Sequence, residues 1–162
     1  MASSRENLLD RMDRYAERSG CEPKVELGFG FDGIVFSTDR QSAIKILRYE
    51  SLYQRERDIY LRLRERNVFV VNGFDVPRLL AFDDELWVVE MSIVSPPFVL
   101  DFAGAYLDQK PDYPDEVLRE WLAEKHEQFG DRWPRVRQVM SEFARHGIHL
   151  ADVKPGNIEF GE

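Results

Sequence analysis

Asp152, Lys154 and Asn157 fall within one short stretch, Asp152-Val153-Lys154-Pro155-Gly156-Asn157, which brings a carboxylate, an ammonium and a carboxamide together. At this spacing the three groups suit phosphoryl transfer. The carboxylate can orient or deprotonate an attacking hydroxyl, the ammonium can neutralise a migrating phosphoryl group, and the carboxamide can bind Mg²⁺. A second set lies upstream in Gly28-Phe29-Gly30-Phe31-Asp32-Gly33-Ile34-Val35, where three glycines are spaced so that backbone amides can approach phosphate oxygens closely. Dinucleotide-binding folds share that spacing but open a helix at the third glycine. Here Ile34-Val35-Phe36-Ser37 reads instead as the second strand of a hairpin. A hairpin whose glycines only satisfy turn geometry has the same pattern.

Lys45 interrupts an otherwise apolar strand, Ala43 to Leu47, and Glu56 interrupts the apolar stripe of Leu52, Tyr53, Ile59, Tyr60 and Leu63 on the next helix. An unpaired carboxylate facing a sheet costs on the order of several kcal/mol, so a cation on the facing strand is the economical partner, and Lys45 is available. The alternatives are a Lys45 on the solvated face of its strand and a Glu56 at the stripe's edge, reaching water.

The elements that must position these groups follow in a coarse order. Leu8, Met12 and Tyr15 repeat at helical spacing and predict a short N-terminal helix. Val25 to Leu47 reads as three antiparallel strands with a turn at Thr38-Asp39-Arg40-Gln41, followed by a helix from about Ser51 to Arg66. Two more strands are expected near Val76 to Phe82 and Leu86 to Ile93, turning at Asp83-Asp84-Glu85, and Ser95-Pro96-Pro97 ends that sheet. Pro114 to Phe129 and Pro134 to His146 read as helices with Gly130 and Gly147 as stop signals.

Composition bounds what this machinery can belong to. The chain has 162 residues, 43% of them hydrophobic and 12% aromatic, enough for one globular domain or two small packed lobes. Cys21 stands alone, which excludes an internal disulfide framework, and Met1 to Asp13 contains no apolar run resembling a signal peptide, so a cytoplasmic location is expected. No stretch approaches the roughly 20 apolar residues of a membrane span. A net charge of −8 disfavours a broad surface for nucleic acid or anionic membrane. A bound polyanion must therefore be held by local groups.

Taken together, the motifs resemble those of the protein kinase family, in the family's order, from about Val25 to Phe160. Gly28, Gly30, Gly33 and Val35 match its glycine-rich loop, Ala43-Ile44-Lys45 the strand whose lysine holds the α- and β-phosphates, and Glu56 the helix glutamate that pairs this lysine. Leu86 to Met91 resembles the strand running into the hinge, with Val89 as gatekeeper and the backbone of Glu90 and Ser92 meeting the adenine edge. His146 to Ile158 resembles the catalytic loop, and Lys154 is its serine/threonine-type lysine. The resemblance implies an α+β, protein kinase-like fold. Its organisation would be an N-terminal helical extension (1–22), an N-lobe with a five-stranded antiparallel sheet and one main helix (23–95), and a truncated, mainly helical C-lobe (96–162). It also implies ATP and Mg²⁺ (or Mn²⁺) as cofactors, Asp152 and Lys154 as catalytic residues and Asn157 as a metal ligand.

The departures shape the functional expectation. Leu150 and Ala151 stand where the family has His and Arg. The family's downstream Asp-Phe-Gly has no normal place after Asn157; Glu159-Phe160-Gly161 lies too close and reads as the next strand, so Glu159, Asp101 or a partner chain would have to complete the metal site. Three readings stay open: a minimal phosphotransferase acting on an unknown hydroxyl acceptor, a pseudokinase serving as nucleotide-binding switch or interaction module, and a kinase completed by a second chain. In the second, a surface left exposed by truncation is a candidate homodimer or partner interface.

Overall fold

The computed structural model describes residues 4–102 and 104–161, so the first three residues of the expected N-terminal extension lie outside it. Helix α1 (Arg5–Ser19) begins where the Ser4 hydroxyl accepts the Asn7 N–H at 3.1 Å, and Gly20 caps its end. The strands β1 (Pro23–Phe29), β2 (Gly33–Thr38) and β3 (Ser42–Leu47) form an antiparallel meander, and helix α2 (Glu50–Glu65) follows. A short hairpin, β4 (Val70–Val71) and β5 (Phe74–Asp75), then precedes β6 (Leu79–Asp83) and β7 (Val88–Ser92). The resulting five-stranded antiparallel sheet has the order β1-β2-β3-β7-β6.

That sheet is covered on both faces, which explains why β3 is buried along its whole length. Alternation divides the strand: Ile44 and Ile46 pack with Leu8, Met12 and Tyr15 of α1, while Ala43 and Leu47 face α2 and the larger core. Each fully buried aliphatic side chain contributes about 1.5–3 kcal/mol relative to an exposed one, so α1 is an integral layer of the sheet.

Beyond β7 come β8 (Phe98–Val99), β9 (Tyr106–Leu107), the helices α3 (Asp115–Phe129) and α4 (Trp133–Arg145), and the strands β10 (Ile148–His149) and β11 (Ile158–Glu159). The part expected to be mainly helical is therefore also threaded by strand pairs. β11 pairs antiparallel with β8, β8 runs parallel to β5, and β10 pairs with β9. This second, four-stranded sheet has the order β11-β8-β5-β4 and draws strands from both sides of residue 95. These strands hold two residues each, too few for apolar alternation to show in sequence. The core running beneath both sheets includes a line of rings, Tyr60 on Phe102 at 5.3 Å and Phe102 on Phe143 at 5.6 Å, which ties α2 to α4. Among the described residues no helix is long and apolar enough to cross a membrane.

Candidate active-site cleft

The β1–β2 hairpin supplies the upper wall of a cleft of about 650 Å³, within the range of small-molecule sites. Gly33 shows why this turn needs glycine: a Cβ there would meet the Ile46 carbonyl oxygen at 1.9 Å, at a φ of 151°. Gly28 and Gly30 differ. A Cβ at either would meet nothing within 4 Å among the described residues, so no packing there demands glycine, and both residues line the cleft. Arg48 braces the loop from below by donating to the Gly30 and Phe31 carbonyls, both at 3.0 Å.

The floor is charged. Register pairs Val35 with Lys45 across β2 and β3, and Lys45 reaches under the sheet to Glu56 of α2. Its ammonium donates to Glu56 Oε1 at 3.2 Å; Oε2 is nearer, at 3.0 Å, but off the hydrogen-bond direction and held by charge alone. Both side chains are buried. Lys45 also donates to Asp101 Oδ1 at 3.2 Å. Burial by itself would lower the Lys45 pKa, but Glu56 and Asp101 outweigh it and hold the ammonium above its ordinary value. Burial pushes the Glu56 carboxyl up, with Lys45 opposing.

The lower wall is the loop between β10 and β11. Buried Val153 anchors it, and Asn157 secures it by donating to the Asp152 carbonyl at 3.0 Å and to Asp152 Oδ2 at 3.1 Å. The Lys154 ammonium stands 3.7 Å from the same Oδ2. Pairing of β11 with β8 explains how Asp101 arrives here: Ile158 lies opposite Val99, and the Leu100 N–H donates to the Asn157 carbonyl at 2.9 Å. Asp32 leans in from the glycine-rich turn. Carboxylate oxygens of Asp32, Asp101 and Asp152 all lie within 4.8 Å of one another. Burial raises the Asp32 pKa, with Lys45 opposing and Asp101 and Asp152 adding to the rise.

The cleft thus gathers Gly28, Gly30, Gly33, Val35, Ala43, Lys45, Glu56, Ser92, Asp152, Lys154 and Asn157 from among the residues singled out in the sequence. Val89, expected as gatekeeper, is instead fully buried in the core and does not line the cleft, and Glu90 is likewise outside it. Glu90 accepts through its side chain from Tyr15 Oη and Ser42 Oγ, each at 2.6 Å, and from Arg40 at 2.9 Å. Its backbone is held between β3 and β6, opposite Ile44 and Ala81. The Ser92 N–H donates to the Arg78 carbonyl at 2.9 Å, while Ile93 and Val94 continue along the cleft. Of the two carboxylates considered as substitute ligands, Asp101 lies in the cleft, whereas Glu159 pairs with Phe98 in the second sheet and does not line it. Asp32 occupies a position between Gly30 and Gly33 that the glycine spacing leaves open, so its residue type carries no signal in the sequence.

No family model matches the chain, and no curated protein does. Among solved structures the chain is similar to one described as the streptomycin–ATP–APH(2″)-IIa ternary complex, at 13% sequence identity and a TM-score of 0.43. The overlap covers 53% of this chain and 28% of that one, so this chain spans little more than a quarter of the matched structure.

Proposed function

We propose that the cleft binds ATP and transfers its terminal phosphoryl group to a hydroxyl acceptor. The observation that carries this reading is the buried Lys45–Glu56 pair standing across the cleft from the Asp152–Asn157 loop, beneath a glycine-rich turn with room for phosphate. Lys45, kept charged and oriented by Glu56, would hold the non-transferred phosphates, and the amides around Gly28 and Gly30 would cover them. The apolar walls offered by Val35, Ala43 and Met91 suit a flat base, and the backbone of Ser92 to Val94 would face its edge.

The chain's donor set suits a hard divalent cation, since the clustered carboxylates and the Asn157 carboxamide are oxygen donors. Mg²⁺ or Mn²⁺, held by Asn157 with Asp101, would neutralise charge on the phosphates. Asp152 would orient the acceptor hydroxyl and take its proton as the new oxygen–phosphorus bond forms and the bond to the β-phosphate oxygen breaks, leaving ADP. Lys154, half-exposed beside Asp152, would stabilise charge on the moving group.

The test compares ATP-dependent phosphate transfer, in the presence of Mg²⁺ or Mn²⁺, by the wild type and by Asp152→Asn. Loss of a positioned base should lower the rate by roughly 10²–10⁴-fold while ATP binding persists. Equal turnover by both proteins overturns the reading; binding without turnover in the wild type makes the chain a nucleotide-binding module.

A further inference from the structure

Lys45 has two carboxylate partners where holding a nucleotide requires one. Glu56 is buried with it, 1% exposed, whereas Asp101 reaches the same ammonium at 3.2 Å and keeps 19% of its side chain exposed. Asp101 is well anchored there. Its neighbour Phe102 is fully buried between Tyr60 and Phe143, and its other neighbour, Leu100, is bonded to Asn157. Asp101 is thus the partner of Lys45 that stays open to the cleft, and a phosphate that reaches Lys45 must compete with it.

The surrounding field acts in the same direction. Among the described residues lining the cleft, the carboxylates of Asp32, Glu56, Asp101 and Asp152 face only the ammonium groups of Lys45 and Lys154. A bare triphosphate meets net repulsion here, and its attraction to Lys45 is already partly answered by Asp101. A triphosphate carrying a divalent cation brings the charge that the carboxylates oppose.

Building on the nucleotide-binding reading above, we propose that Asp101 is a specificity-determining residue: it competes with phosphate for Lys45, so that the cleft rejects free ATP and admits the metal-complexed form. Phosphate binding and release of Lys45 by Asp101 are then one event. Asp101 stabilises the empty cleft by satisfying a cation that would otherwise be left with one partner.

Calorimetric titration of the wild type and Asp101→Asn with ATP in EDTA, and with ATP in excess Mg²⁺, tests this. Removing one like charge about 4 Å from a phosphate is worth on the order of 1 kcal/mol even in water-like surroundings, so the variant should bind metal-free ATP roughly five- to tenfold more tightly. Its affinity for ATP with Mg²⁺ should fall, because Asp101 is also a carboxylate ligand of the metal in that reading; the gain for metal-free ATP is the change that a metal-ligand role alone would not produce. If both forms gain or lose affinity equally, or neither changes, Asp101 is not the selector, although the nucleotide reading stands. If neither protein binds ATP in either form, the nucleotide reading falls and this inference with it. Asp101→Ser, which removes the charge without keeping the shape, gives the same readings should the asparagine variant fold poorly.

Discussion

Placing an ammonium and a carboxylate beneath a sheet incurs desolvation twice, and Lys45 and Glu56 offset it only because they meet at 3.0 Å with Asp101 as a third partner. Lys45→Met, which strands Glu56 without its cation, should cost about 3–5 kcal/mol in urea unfolding, and adding Glu56→Leu should recover part of that loss. A stability-neutral Lys45→Met would contradict the buried pair. Alkaline pH probes the same residue from another side. Lys45, with an ordinary pKa of 10.5, and Tyr15, with one of 10.0, are both held above those values in the fold, Tyr15 by burial and by its bond to Glu90. A folded state that holds protons more tightly than the unfolded chain loses stability as pH rises. Urea midpoints should therefore fall from about pH 10 upward, and more shallowly in Tyr15→Phe. The Lys45–Glu56 pair was legible because helical periodicity set Glu56 inside an apolar stripe. Asp32 and Asp101 were less so: each owes its place to a turn or strand pairing distant in sequence.

Elements put these residues in register, and the glycine hairpin is the most constrained of them. Gly33→Ala would drive a Cβ into the Ile46 carbonyl, so β2 and β3 must separate; we expect a loss of roughly 2–4 kcal/mol in thermal or urea unfolding. Gly28→Ala and Gly30→Ala meet no such contact and should leave stability nearly unchanged while weakening ATP binding. The order of α1, the meander, α2, β6, β7, α3 and α4 was legible because each is long enough for its period or its stop signals to show. The β4–β5 hairpin was missed despite the Asn72-Gly73 pair, both at positive φ, which is a strong local turn signal. The strands β8 to β11 carried no such signal. They form because the chain packs, and their pairing delivers Asp101 to Asp152.

At the scale of the molecule, α1 anchors the sheet from one face, and α2 links it to the segment that leads into the loop below the cleft. Tyr15, Arg40 and Ser42 converge on Glu90, so the strand leading into the cleft is anchored from the face opposite the site. Arg62 of α2 donates to both Asp108 oxygens, at 2.8 and 2.6 Å, and to the His146 carbonyl at 2.9 Å. The helix carrying Glu56 is thereby joined to the segment that leads into Asp152. Arg62→Ala should speed amide hydrogen exchange in residues 147–157 more than in β1 to β3; uniform exchange would show that the clamp is only local. The measurement that tests the central claim most directly is amide NMR of the wild type titrated with ATP and Mg²⁺. Perturbations are predicted at Gly28 to Gly33, around Lys45, at Ser92 to Val94 and across 152–157, with the outer turns of α3 unmoved. No perturbation at millimolar ATP, or perturbation centred away from the cleft, would contradict it.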